Sequence, residues 1–175
     1  MNSCSYLAAV NQKLLFAKKL IKLIESNEVA CEDRHLRVAV AQSITVQLGQ
    51  AWAWHLQDVA SNYKVKDPAI IASVDDLVAS LKAEGKAPAE SVELKQLFDS
   101  HTSWASEMLN ACSQLPSLPV IRKAEMDADR LPMLSLDDAS DSQRKAIEWD
   151  LSITKEWSKQ INELIERHRE MMIEF

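Results

Sequence analysis

Two glycines and five prolines in 175 residues set the strongest limit on what this chain can fold into. A sheet built on tight turns needs residues that accept positive φ, and a chain with almost none cannot make many of them. Ala, Leu, Glu, Lys and Gln fill the remaining positions, and these lose least on entering a helix. The expectation is an all-α protein, an antiparallel up-down four-helix bundle with an extra short connector helix and a long loop before the last helix. At this length one domain spanning residues 1–175 buries a core without disulfide or metal support.

Apolar periodicity places the elements. Leu7, Val10, Leu14, Ala17, Ile21 and Ile24 recur three and four apart, which predicts a helix from about Ser3 to Ser26. A second runs from about Asp33, a fitting N-cap, to Asn62, and at 1.5 Å per residue it reaches about 45 Å, long enough to be central. Asp67-Pro68, Ser73 with Asp76, and Gly85 bracket the short connector. Leu94, Leu97, His101, Ala105, Met108, Cys112 and Leu115 form one stripe, predicting a single helix over about 91–114. Pro116 and Pro119 end it, and Ser140 with Gln143 signals the start of the last helix. The segment 116–140 between them is aperiodic yet rich in Leu, Met, Val and Ile, so it is expected to strap across the bundle. It has an acidic excess, whereas helix one carries Lys13, Lys18, Lys19 and Lys22 against Glu25.

The formal charge of −6 and pI near 5.3 argue against nucleic acid, whose phosphates demand a basic surface. Cys4, Cys31 and Cys112 are odd in number and lack the paired spacing of zinc or redox motifs, so they read as reduced thiols in a cytoplasmic protein. The amino terminus lacks the basic start and cleavage site of a secretory signal, and no apolar run reaches membrane-spanning length.

Two kinds of residue stand out as candidate sites. On helix two, Ile44, Leu48, Trp52, His55, Val59 and Tyr63 share one arc, whereas Trp54 lies about 200° round from Trp52 beside Ser43, Gln47, Gln50 and Asp58. With Leu36 and Val40 it forms a second apolar strip on a face expected to meet water. The strap or a second copy of the chain would cover it, which makes Trp54, Leu36 and Val40 the candidate interface, with a homodimer or another protein as partner. The second kind is polar groups on apolar faces: His55, His101 and His168 on three long helices, with Lys13 and Asp150 also intruding. In an up-down arrangement His55 and His168 lie near one end, with His101 further along. Each imidazole most simply satisfies its nitrogens within the bundle.

Known chemistries leave little trace. A di-iron bundle centre needs Glu-x-x-His on two helices, and Glu32 with His35 is the sole such pair. No histidine has an arginine four to six residues before it, as in helical ribonuclease domains, and there is no phosphate loop, Gly-x-Ser-x-Gly or His-Glu-x-x-His. No catalytic residue, metal ligand or cofactor is assigned.

The stretch VNQKLLFAKKLIKLI, residues 10–24, and SNYKV, residues 61–65, resemble a family of small all-helical bacterial proteins, a domain of unknown function. The likeness is clearest at Asn11-Gln12-Lys13 and Phe16-Ala17 and covers about the first third of the chain. It implies a soluble bacterial protein and no catalytic residues, and it draws attention to Asn11, Gln12 and Lys13 as polar groups early in a core helix. The leading expectation is a non-catalytic interaction or regulatory module, self-associating through Trp54. A second is an enzyme or sensor holding a metal or small ligand with Lys13, Asn11, Gln12, His55, His101 and His168. A third is an acidic antitoxin or immunity-type inhibitor.

Overall fold

The computed structural model describes residues 5–27, 32–117 and 149–173. Among them the fold is all-α, with no strand. Helix α1 spans Tyr6–Glu25, α2 Arg34–Asn62, α3 Val74–Ala83, α4 Ala89–Asp99, α5 Trp104–Gln114 and α6 Leu151–Ile173, with a 3₁₀ turn at Pro68–Ile70.

The boundaries follow local chemistry. Ser5 caps α1 by accepting from the Ala8 N–H, and Asp33 caps α2 by accepting from the N–H groups of His35 and Leu36. Ser73 and Asp76 form a reciprocal capping box at α3, and Gly85, at φ +70°, takes the left-handed turn after it. Asp150 is exposed and opens α6, its carboxylate accepting from the Ser152 N–H and hydroxyl. It is therefore a cap, not a polar intrusion into a core face.

Helix α2 is the axis of the molecule: α1, α3, α5 and α6 all pack against it. Its buried residues run from Val40 and Asp58 through Ile44, Leu48, Trp52 and Leu56 to Ala60, an arc of about 200° at 3.6 residues per turn. That explains its weak amphipathicity and corrects the expected water-facing arc, since Asp58 and Val40 are buried. Trp52 meets Trp104 of α5 edge to face, with centroids 6.2 Å apart. Gly49 lets α5 approach closely, because a Cβ there would stand 2.7 Å from Cys112 Sγ. Leu151, Thr154, Trp157, Ile161, Leu164, Ile165 and His168 form the buried stripe of α6.

One predicted element divides. The expected helix over 91–114 is two helices, α4 and α5, separated at residues 100–103. Asp99, Ser100, His101, Thr102 and Ser103 are all weak helix formers, and hydroxyl groups satisfy the backbone at the break. Ser103 caps α5 through the Ser106 N–H and also donates to the Leu97 carbonyl, while Ser106 Oγ donates to the Phe98 carbonyl at 2.9 Å. His101 consequently sits exposed in the turn between them rather than in the core. Ser140, Gln143 and all but the first residues of the 116–140 strap lie outside the described residues.

Candidate functional site

The sequence placed His55 and His168 on apolar stripes, and the structure brings them into contact. His55, on α2, and His168, on α6, are both fully buried, and His55 Nε2 lies 2.9 Å from His168 Nδ1. The far nitrogen of His168, Nε2, lies 3.1 Å from Glu93 Oε2 on α4, and Arg167 holds the other Glu93 oxygen from outside. Three helices thus contribute to one chain of hydrogen bonds running from solvent to the centre of the fold.

The position of each proton follows from the donors and acceptors. Burial alone would raise the Glu93 pKa, but hydrogen bonds from Arg167 and His168 hold it below the usual carboxylate value. An ionised carboxylate only accepts, so His168 Nε2 carries the hydrogen. Burial pushes the His168 pKa down despite Glu93, leaving the ring neutral and its Nδ1 an acceptor. His55 Nε2 must then donate. Burial, then the neighbouring His168 ring and the Arg169 guanidinium, which oppose a second positive charge, lower His55 to about 3, so its ring is neutral too. The chain therefore ends at His55 Nδ1 as a bare lone pair, buried and without a hydrogen-bond partner.

Other unpartnered groups share this core. Asp58, one turn after His55, has a buried Oδ2 with no partner, and Arg169, beside His168, has Nε and Nη2 in the same condition. Burial raises the Asp58 pKa and lowers that of Arg169, and each partly offsets the other through its charge. No ion pair joins them among the described residues.

One turn before Glu93 on α4, Glu90 is 1% exposed and accepts the Tyr63 hydroxyl on both oxygens, at 3.0 and 3.1 Å. Burial and Glu90 together raise the Tyr63 pKa to about 12, so the phenol keeps its proton. Tyr63 and Glu90 line a cavity of about 510 Å³ at the ends of α2 and α6. No group of three His, Cys, Asp or Glu side chains that could hold a metal occurs among the described residues.

The remaining sequence candidates fall elsewhere. Asn11 and Gln12 are exposed on α1 and form no polar core, because the buried face of that helix is Val10, Ala17 and Ile24. Lys13 is half-buried, with its ammonium 5.3 Å from the centre of the Trp54 ring. Helix α1 thus lies over the half-buried Trp54, where the strap or a second copy was expected. Leu36 is 40% exposed near the start of α2 and Val40 is buried, so these two do not form one open strip with Trp54.

Glu90, Glu93, Asp58, Arg167 and Arg169 were not singled out by sequence. The available signal was weak: Glu90 and Glu93 share a helix face one turn apart, and two arginines flank His168. No family model, curated protein or solved structure matches the chain. No helix among the described residues is long and apolar enough to cross a membrane.

Proposed function

We propose that this chain is a helical ligand-binding domain, a sensor or enzyme, that works through the polar core between α2, α4 and α6. The observation that carries the reading is the bare Nδ1 of His55 at the end of an ordered Glu93–His168–His55 chain. A buried acceptor left without a donor costs about 1–3 kcal/mol, and apolar residues of similar volume would fill the same space without that cost. A neutral imidazole whose far nitrogen is committed to a hydrogen bond is held in one tautomer with its near nitrogen free to accept, the arrangement that serves recognition of a donor group. Asp58 and Arg169 supply further unpartnered acceptors and donors nearby.

Nitrogen-15 spectroscopy of the imidazole rings tests this, together with native mass spectrometry of protein purified from its own cells without chelator. The expected results are an unprotonated, non-hydrogen-bonded Nδ1 on His55 in the empty protein and a retained small-molecule adduct in the native preparation. A His55 Nδ1 already hydrogen-bonded in the ligand-free chain, with no adduct, would remove the reading.

A second reading, an interaction module with a homodimer or another protein as partner, is favoured by the outer side of α1. Leu15, Phe16 and Leu23 are 49%, 40% and 64% exposed there, beside the exposed Lys18, Lys19 and Lys22. Apolar groups among lysines suit an acidic protein surface better than nucleic acid, which would gain nothing from the leucines. In the same proposal α1, α2, α6 and the α4–α5 pair are the staves of an up-down bundle in a cytoplasmic protein akin to the small helical bacterial family. A Leu23→Lys change that leaves the helical circular dichroism intact is expected to abolish any self-association measured by light scattering. Unchanged association would count against this surface.

A further inference from the structure

The cavity beside Glu90 holds a carboxylate with unused hydrogen-bonding capacity. Glu90 is buried, and a carboxylate offers about four lone-pair directions, of which the Tyr63 hydroxyl uses at most two. Among the described residues no lysine, arginine or histidine forms an ion pair with it. Lys86 lines the same cavity, but its ammonium donates to the Tyr63 carbonyl and to Glu84, each at 2.6 Å. Its charge is therefore paired with Glu84 and not with Glu90. Glu90 lies in the first turn of α4, the end of a helix that favours an anion, and its remaining lone pairs are open to a cationic donor.

The rest of the lining defines the kind of cation. Pro88, Met171, Ala87 and Ala89 are apolar, and Tyr63 adds an aromatic ring. One carboxylate with no second acidic, histidine or cysteine ligand does not make a site for an inorganic ion, consistent with the lack of a three-ligand group among the described residues. An ammonium on a short aliphatic body satisfies both halves: its N–H groups take the free Glu90 lone pairs and its carbons meet Met171, Pro88 and the alanines. A volume of about 510 Å³ suits a small organic molecule.

We propose that the cavity between Tyr63, Glu90 and Met171 binds a small organic ammonium ion, with Glu90 as its counter-charge. This deepens the ligand-binding reading above and rests on it. Glu90 stands one turn from Glu93 on α4, and its charge is felt at His168, so a cation bound here reaches the hydrogen-bonded chain electrostatically.

The test titrates the full chain with n-butylammonium chloride, n-butanol and sodium butyrate at constant ionic strength, following the Met171 methyl and the His168 ring nitrogens by NMR. Butylammonium is expected to shift both saturably, while butanol and butyrate do not. Glu90→Gln should weaken the cation by about tenfold or more, the worth of a charge-assisted contact. Tyr63→Phe frees both Glu90 oxygens and should strengthen it, and because Lys86 bonds the backbone carbonyl of residue 63 that contact survives. If Glu90→Gln fails to fold by circular dichroism, the three-probe comparison and Tyr63→Phe decide the matter. Butanol or butyrate binding as well as the cation, or no saturable shift with any probe, would overturn the proposal. The His55 Nδ1 state is read from the same spectra before any probe is added, so failure of this site and failure of the core reading are separately visible.

Discussion

Lowering the pH from 7 to 5 should destabilise this protein by about 2 kcal/mol through His55 alone. His55 is fully buried and its pKa falls from the ordinary 6.5 to about 3, with burial as the largest cause, followed by His168 and Arg169. As pH drops below 6.5 the unfolded chain takes up a proton that the folded chain refuses. Stability is therefore complete above that value and is lost progressively until about pH 3. At about 1.4 kcal/mol per pH unit, the 1.5 units between 6.5 and 5 give the stated figure. His168 is shifted in the same direction and adds to the slope, while Glu93, held below its usual value, extends the loss below the ordinary carboxylate range. Urea unfolding at pH 7 and pH 5, compared between the wild type and His55→Phe, measures it. The variant should be less stable at pH 7, because it strands His168 Nδ1 without a donor, yet lose clearly less between the two pH values. A wild-type stability that is flat across that window, or an equal fall in the variant, would refute the assigned protonation states.

Three further outcomes follow from particular contacts. Gly49→Ala should cost about 1–3 kcal/mol in chemical denaturation, because its Cβ would meet Cys112 Sγ at 2.7 Å, and adding Cys112→Ala should recover most of the loss. Ser103→Ala removes both the α5 cap and the bond to the Leu97 carbonyl, and should lower stability by about 0.5–2 kcal/mol with faster amide exchange at the α4–α5 turn. The Cys112 thiol, raised to about 11 mainly by burial, should react with a thiol reagent at pH 8 far more slowly than a free cysteine when Cys4 and Cys31 are changed to Ser; free-cysteine rates would contradict its burial.

How far the sequence carried depended on how local the information was. Asp33, Ser73 with Asp76, and Gly85 act within a turn of their own position, and each marks the boundary it was expected to mark. The α4–α5 break was hidden because Leu94, Leu97, Ala105 and Met108 keep a helical register across it, although five weak helix formers in a row carried the opposing signal. Asp58 and Trp54 were assigned to water because a helical wheel has no knowledge of neighbours, and α2 is packed by four other helices. His55 and His168 were recognisable as odd residues on apolar stripes. Their partner Glu93 was not, since a glutamate on an amphipathic helix ordinarily faces solvent.

The hydrogen-bonded chain joins residues remote in sequence, 113 positions apart between His55 and His168 and 75 between Glu93 and His168. No segment ending before α6 contains it. During synthesis on the ribosome, α1 through α5 emerge before α6 while His55 and Glu93 still lack their link, and the polar core closes only when α6 docks. Whatever this core binds or does is therefore withheld from the nascent chain and from any fragment lacking α6. Adding α6 as a separate peptide to such a fragment would give experimental control over when the chain of hydrogen bonds forms.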